Sequence, residues 1–294
     1  MSFYQPMRFY HKLSYATLTL FSGWLCSLSE AERDRFGVRL ARVAYYLLGL
    51  RKKDSFKNIA IAFPEKSDGD RHVILKKTYS FFARTFLQFL SIPKSYKCID
   101  IDVEGQELLD TSLAKGRGII LATGHFSKWE IMSAWLGYSG YPCVAVALRQ
   151  KNRGADIFFR KFRENTGMRM IFRKSSLKQM YRILKENKLL ILASDQDAKK
   201  RGVFVNFFNT PSSTPKGVAR FHLHTGSDMF FITCHVKQNG IYKLHIQPIV
   251  PEGESTVESI TQAFTTLLEE KVREFPEQYF WFHRRWKTKP PIVL

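Results

Sequence analysis

His125 and Glu130 are the two residues of this chain whose types and spacing best suit acid–base chemistry. They sit in the segment GIILATGHFSKWE, residues 118–130. A neutral imidazole can take the proton of an alcohol as its oxygen attacks a carbonyl. A carboxylate on the other ring nitrogen fixes the tautomer and stabilises the imidazolium that forms. On one continuous helix, five positions would set the two side chains about 140° apart. They meet only if His125 occupies a turn before a helix and Glu130 the first turn of that helix. The sequence contains no G-x-S-x-G, so a serine acyl-enzyme has no support and direct transfer by a general base is the expected mechanism. The H-x4-E spacing alone is weak among 8 His and 26 acidic residues; its position gives it weight.

That position depends on the surrounding elements. GIILATG (118–124) is continuously apolar and predicts a buried strand, and residues 128–138 suit a helix. Strand, turn and helix then place His125 and Glu130 outside the carboxyl end of a strand, where open α/β sheets bind ligands. From residue 99 onward strands and helices alternate. Strands are predicted at 99–105, 143–148, 168–172, 188–194, 202–208, 229–236 and 241–249, with Asn239-Gly240 as the hairpin turn of the last two. Helices are predicted at 156–165, 177–186, 215–225 and 254–274. Residues 1–95 read as helical, with Pro93 ending a helix over 70–91. The fold class is therefore α/β, a mixed, largely parallel sheet flanked by helices and preceded by a helical N-terminal segment.

Lys and Arg number 46 against 26 Asp and Glu, a net charge of +20. Nucleic acid, an anionic membrane surface and acidic soluble ligands all suit such a balance. No zinc-finger, RNP, KH or helix-turn-helix signature appears, which counts against nucleic acid. Cys26, Cys98, Cys143 and Cys234 form no C-x-x-C pair, and free core cysteines are expected. The run 13–28 is uncharged and follows Arg8, His11 and Lys12, but it is shorter than the roughly 20 residues that span a bilayer. Residues 36–50 are apolar at helical spacing and carry Arg39 and Arg42. We expect residues 1–50 to form membrane-anchoring or interfacial helices and residues 51–294 the catalytic domain. The flanking Arg and Lys then place the domain on the cytoplasmic side.

GHFSKWE resembles the GHFGNWE block of the late acyltransferases of lipid A biosynthesis. FKNIAIAFPE (56–65), ALRQKNRGADIFFRKFRENTG (147–167), SDQDAKKRGVFVNFFNTPSSTPKGVARFHLHTG (194–226) and PEQYFWFHRRWKTKP (276–290) resemble further blocks of that family, in the same order. The resemblance implies a fold like the glycerol-phosphate acyltransferases, at the cytoplasmic face of a bacterial inner membrane. It implies an acyl donor on acyl carrier protein, an anionic glycolipid acceptor and no cofactor. His125 and Glu130 would be the catalytic pair. Arg163, Lys128 and Arg149 would contact substrate, and Asp195, Gln196 and Asp197 would shape the acceptor side. Ser127 and Lys128 replace Gly and Asn of the block; Asn206 and Asn209 replace Pro and Gly. These departures bear on acceptor and chain length more than on reaction class.

Other readings stand beside these. Arg163 lies near Arg160 and Lys161 and also fits a solvated basic face. Asp195 and Asp197 also fit turn caps, and the DQD cluster is poor evidence for a metal. His222 and His224, two apart on a predicted helix, face different ways. In WFHRRWK, Trp281 and Trp286 are expected as packing anchors and Arg284, Arg285 and Lys287 as a cationic edge. Related acyltransferases act on mannosylated phosphoinositides, so another membrane glycolipid is the alternative acceptor. A non-catalytic nucleic-acid-binding or membrane-surface protein is the remaining reading.

Overall fold

Residues 119–123 are apolar or small at every position and buried throughout, because this strand lies fourth of seven in the main sheet. The computed structural model describes residues 8–92, 94–172, 177–237 and 239–291; the helix stop read at Pro93 lies outside them. The strands are β1 (Ile101–Glu104), β2 (Ile119–Thr123), β3 (Cys143–Ala147), β4 (Arg169–Phe172), β5 (Leu189–Ala193), β6 (Val203–Phe207), β7 (Thr210–Thr214), β8 (Asp228–Val236) and β9 (Tyr242–Pro248). The sheet order is β1-β9-β8-β2-β5-β3-β4, and every neighbouring pair is parallel except β8–β9. The expected mixed, largely parallel sheet is therefore present. β6 and β7 form a separate antiparallel pair.

Alternation along β2 sorts its side chains onto two cores. Ile119 and Leu121 join Leu189, Ile191, Phe230 and Ile232 on one face; Ile120 and Ala122 join Leu190, Leu192, Met229 and Phe231 on the other. The first face is covered by α6 (Trp129–Tyr138), α5 (Gln106–Ala114), α7 (Arg153–Glu164) and the end of α4 (Asp68–Leu90). The second is covered by α8 (Leu177–Lys185), α9 (Gly217–Thr225) and α10 (Val257–Glu274).

Two elements depart from expectation. α5 follows Gly105, whose φ of +85° and contact with the Ile246 carbonyl leave no room for a Cβ. That turn ends the predicted 99–105 strand early. β7, with sequence TPSST, looks like a loop by composition. It forms a strand because Ser212, Ser213 and Thr214 are fully buried and pair with β6.

The N-terminal residues form α1 (Phe9–Ser27) and α2 (Glu30–Arg42), then one stretch of π-helix, Val43–Leu48. Ser29 and Glu32 make a capping box that starts α2. Between α2 and α4 lies α3 (Lys52–Ala62). α1 packs on α7 so closely that a Cβ at Gly154 would strike the His11 carbonyl. Its other face exposes Phe9, Leu13, Leu20 and Trp24, and the π-helical stretch exposes Tyr46, Leu47 and Leu48. Among the described residues, no helix is long and apolar enough to cross a membrane.

Candidate active site

β2 and β5 are parallel neighbours, with Thr123 paired to Ala193. Two residues past each of these ends stand His125 and Asp195, side by side. The Asp195 carboxylate receives both the His125 backbone N–H, at 2.8 Å, and the imidazole Nδ1, at 2.7 Å. The carboxylate that braces the imidazole is thus Asp195, which is 2% exposed, rather than Glu130. Its double contact fixes the ring's rotation and places a proton on Nδ1. Nε2 is then the basic nitrogen, 3.4 Å from the Gln196 amide nitrogen. The ring itself remains 29% exposed.

Glu130 lies in the first turn of α6, as expected, but it does not hydrogen-bond His125. It is buried and receives a forked pair of hydrogen bonds from Arg163 on α7, Nε to Oε2 at 2.9 Å and Nη2 to Oε1 at 2.5 Å. The Trp129 indole donates to the same carboxylate at 3.2 Å. Arg163 is therefore no solvated basic face; its guanidinium also lies over the Phe89 ring.

Burial opposes charging of the imidazole, but the Asp195 charge and hydrogen bond, helped by the Glu130 charge, outweigh it and raise the His125 pKa. Burial likewise opposes ionisation of Asp195, yet the His125 contacts and the Arg285 charge hold its pKa low. For Arg163, burial is outweighed by Glu130, which keeps the guanidinium charged. Tyr279 lies beside both Asp195 and Arg285, and burial pushes its phenol well up. Asp195, Tyr279 and Arg285 form one buried network behind His125.

The turn that carries His125 is clamped by the chain around residue 278. Phe126 makes a β-bridge with Tyr279, and the Phe280 N–H donates to the His125 carbonyl at 3.0 Å. Ser127 has φ +53°, a left-handed conformation that explains the glycine of the similar family block. Serine is held there by donating its backbone N–H to the Gln278 carbonyl and its hydroxyl to Gln278 Oε1, each at 2.6 Å. Trp129, Phe82, Phe280 and Phe282 make a ring-on-ring wall beside the imidazole. Gly124 brings the Leu268 side chain against the turn, where an added Cβ would lie 3.0 Å from it.

The remaining predicted residues fall elsewhere. Lys128 turns away from His125 and is buried against α4, so it adds no cation beside the imidazole. Arg149 stacks over Phe172 at 4.3 Å. Asp197 accepts from Thr288 at 3.0 Å. Trp281 and Trp286 are packing anchors, as expected, but Arg285 is no part of a cationic edge. It is 2% exposed and donates to the Ser213 carbonyl and the Thr214 hydroxyl. Arg284 does remain exposed and pairs with Asp54. His222 donates from Nδ1 to the Ser227 carbonyl at 2.8 Å, and His224 packs on Tyr181. Cys143 and Cys234 are core residues; Cys98 is exposed and Cys26 half-buried, and all four are free. Among the described residues no group of His, Cys, Asp and Glu is arranged to hold a metal.

Sequence reasoning missed the role of Asp195 and the clamp at Gln278. For Asp195 the signal was present: GIILATGH and LLILASD each put a polar group two residues beyond an apolar strand. For Gln278 no local signal exists.

A profile for the bacterial lipid A biosynthesis acyltransferases matches residues 8–288. The chain is 26% identical to a lipid A biosynthesis palmitoleoyltransferase of Escherichia coli over 261 residues, 86% of this chain and 84% of that protein. It is 27% identical to a lipid A biosynthesis lauroyltransferase of Escherichia coli over 268 residues, 88% and 86% of the two chains. It is 25% identical to a phosphatidylinositol mannoside acyltransferase of Mycolicibacterium smegmatis over 190 residues. That match covers 63% of this chain and 62% of the mycobacterial protein.

Proposed function

The chain belongs to the bacterial lipid A biosynthesis acyltransferase family, and from that premise we propose that it moves a fatty acyl group from acyl carrier protein to a hydroxyl of a lipid A precursor, with His125 as the general base. The single observation that carries this reading is the His125–Asp195 pair. Nδ1 is held by a buried carboxylate, and Nε2 is left on a half-exposed ring beside an aromatic wall.

In the proposed step Nε2 takes the hydroxyl proton while the oxygen attacks the thioester carbonyl. The C–O bond forms, the C–S bond breaks, and the imidazolium returns its proton to the departing sulfur. Asp195 stabilises the imidazolium while it exists. Glu130 and Arg163 form a neutral buried pair next to this chemistry. Arg163, with the N–H groups at the start of α6, supplies positive potential for the developing oxyanion. Glu130 thereby serves by holding Arg163 and by adding negative potential at His125, not by bracing the ring.

The exposed apolar residues of α1 and of the π-helical stretch fit the interfacial role proposed for residues 1–50. They would seat the protein on the cytoplasmic face of an inner membrane. The excess of 20 positive charges suits both anionic lipid and an acidic carrier protein. A mannosylated phosphoinositide is the second acceptor to test, on the likeness to the mycobacterial enzyme.

Purified protein incubated with acyl carrier protein thioesters and each acceptor, followed by mass spectrometry, tests the reading. An added acyl mass on one acceptor is expected, lost on His125→Ala by a factor of about 10²–10⁴ with the fold retained. Full activity in folded His125→Ala would overturn it.

A further inference from the structure

Lys128 is a buried lysine that the proposed acyl transfer does not use. It is 6% exposed, and its ammonium donates one hydrogen bond, to Gln88 Oε1 at 2.9 Å. Phe81 and Tyr242 cover it, with ring centres 4.8 and 5.8 Å from Nζ. Among the described residues no carboxylate lies within ion-pair distance of Nζ. A lysine in such surroundings usually has a counter-charge, because an unpaired buried cation costs several kcal/mol or gives up its proton. Burial, with the Arg84 charge, does lower its pKa, to about 7.

The amine is not sealed in. Two crevices meet at Arg84, Lys128 and Tyr242, one running between α2 and α4 and one between α4, the end of β8 and the residues near 275. The second has a volume of about 340 Å³, and its lining adds Lys77 and Lys237 to Arg84 and Lys128, against Glu274 and Glu277. Arg84 is partnered by Asp34, Lys237 by Asp102 and Glu274 by Lys271. Among the described residues Lys77 and Lys128 have no carboxylate within ion-pair distance, and Glu277 is the remaining acid of the lining. Tyr242 accepts a hydrogen bond from the Gln88 amide at 2.7 Å, which leaves its own hydroxyl proton free to donate. The floor of the crevice thus offers N–H and O–H donors without acceptors, and Lys77 and Lys128 set against Glu277 leave the lining with at most one positive charge in excess.

We propose that this crevice is a second binding site, for a phosphate group, with Lys128 and Tyr242 as its floor and Lys77, Arg84 and Lys237 around its rim. A phosphate oxygen supplies the acceptors that Lys128 lacks and the charge that restores its ammonium form. Neither His125 nor Asp195, Glu130 or Arg163 lines either crevice. The phosphate comes either from a free phosphomonoester or from a lipid headgroup.

The full chain, labelled with ¹³C at lysine Cε, is titrated by NMR with inorganic phosphate and then with glycerol 3-phosphate. One lysine with a low pKa should be found, lost in Lys128→Met, and its pKa should rise by a unit or more on saturation. Lys128→Met should bind phosphate at least tenfold more weakly. The exposed rim pair Lys77→Gln with Lys237→Gln should weaken it several-fold while keeping the low-pKa signal, which reports an intact fold. Sedimentation with phosphatidylcholine vesicles with and without phosphatidylglycerol separates the sources. Loss of the phosphatidylglycerol increment in Lys128→Met assigns the lipid headgroup, and an unchanged increment assigns the free phosphomonoester. A Lys128 signal unmoved by both soluble phosphates, or equal affinity in Lys128→Met, overturns the site. His125→Ala should retain phosphate binding, so loss of acyl transfer leaves this test intact.

Discussion

Around the single imidazole of His125, two buried carboxylates have separate partners, and variants should tell them apart. Asp195→Asn removes the charge that raises the His125 pKa, so burial then dominates and the ring loses its proton at lower pH. The proposed base acts when neutral. The acid limb of kcat/KM should therefore move to lower pH while the maximal rate falls about 10²–10⁴-fold. Glu130→Gln should shift the same limb in the same direction by less, because Glu130 acts on the ring only through its charge. A pH–rate profile of each variant checks both; an unmoved limb in Asp195→Asn would remove His125 from the role of base. His125 and Glu130 were legible from type and spacing. That His125 pairs with Asp195 and not Glu130 was not legible, because which strand lies beside β2 is a property of sheet order, and sheet order is absent from a linear pattern. The partner of Arg163, Glu130, is visible only once α6 and α7 are packed together.

At the scale of the element, the turn between β2 and α6 is the feature to perturb. Ser127 holds a left-handed backbone and two bonds to Gln278. Ser127→Gly should change stability by no more than about 1 kcal/mol, since backbone relief offsets the lost hydroxyl bond. Ser127→Val should cost roughly 1–3 kcal/mol, because a β-branched side chain resists this conformation and leaves Gln278 Oε1 with one donor fewer. Urea denaturation measures both; equal stability of the two variants would show that the turn is not strained. Strands with continuous apolar sequence, such as β2 and β5, were readable because burial on both faces demands that composition. β7 was not. Its hydroxyls satisfy each other and the backbone inside the fold, as Ser212 does with the Val205 carbonyl, and such pairing leaves no hydrophobic trace.

For the whole molecule, the exposed apolar residues near the N-terminus predict surface behaviour. Leu20→Glu combined with Leu47→Glu should reduce co-sedimentation with anionic vesicles at least tenfold while the melting temperature changes little, since both side chains are more than 70% exposed. Unchanged vesicle binding would reject the interfacial role. A second global property follows from His235, on β8 and buried against Phe275, whose pKa burial lowers to about 4. The unfolded chain protonates this ring near pH 6.5 and the folded chain only near 4, so folding stability should decline as pH falls across that window. The loss attributable to His235 is at most about 3 kcal/mol, and His235→Gln should flatten the slope in denaturation measured from pH 7 to 4.

The clamp on the turn that carries His125 has a consequence in time. Ser127 and Gln278 are separated by 151 positions, so a ribosome lays down the sheet strands, the imidazole and its carboxylate well before the segment that locks them. Until that segment emerges and docks, the turn is anchored on one side only. Chains arrested before that segment should therefore hold the imidazole and its carboxylate without the lock on their turn.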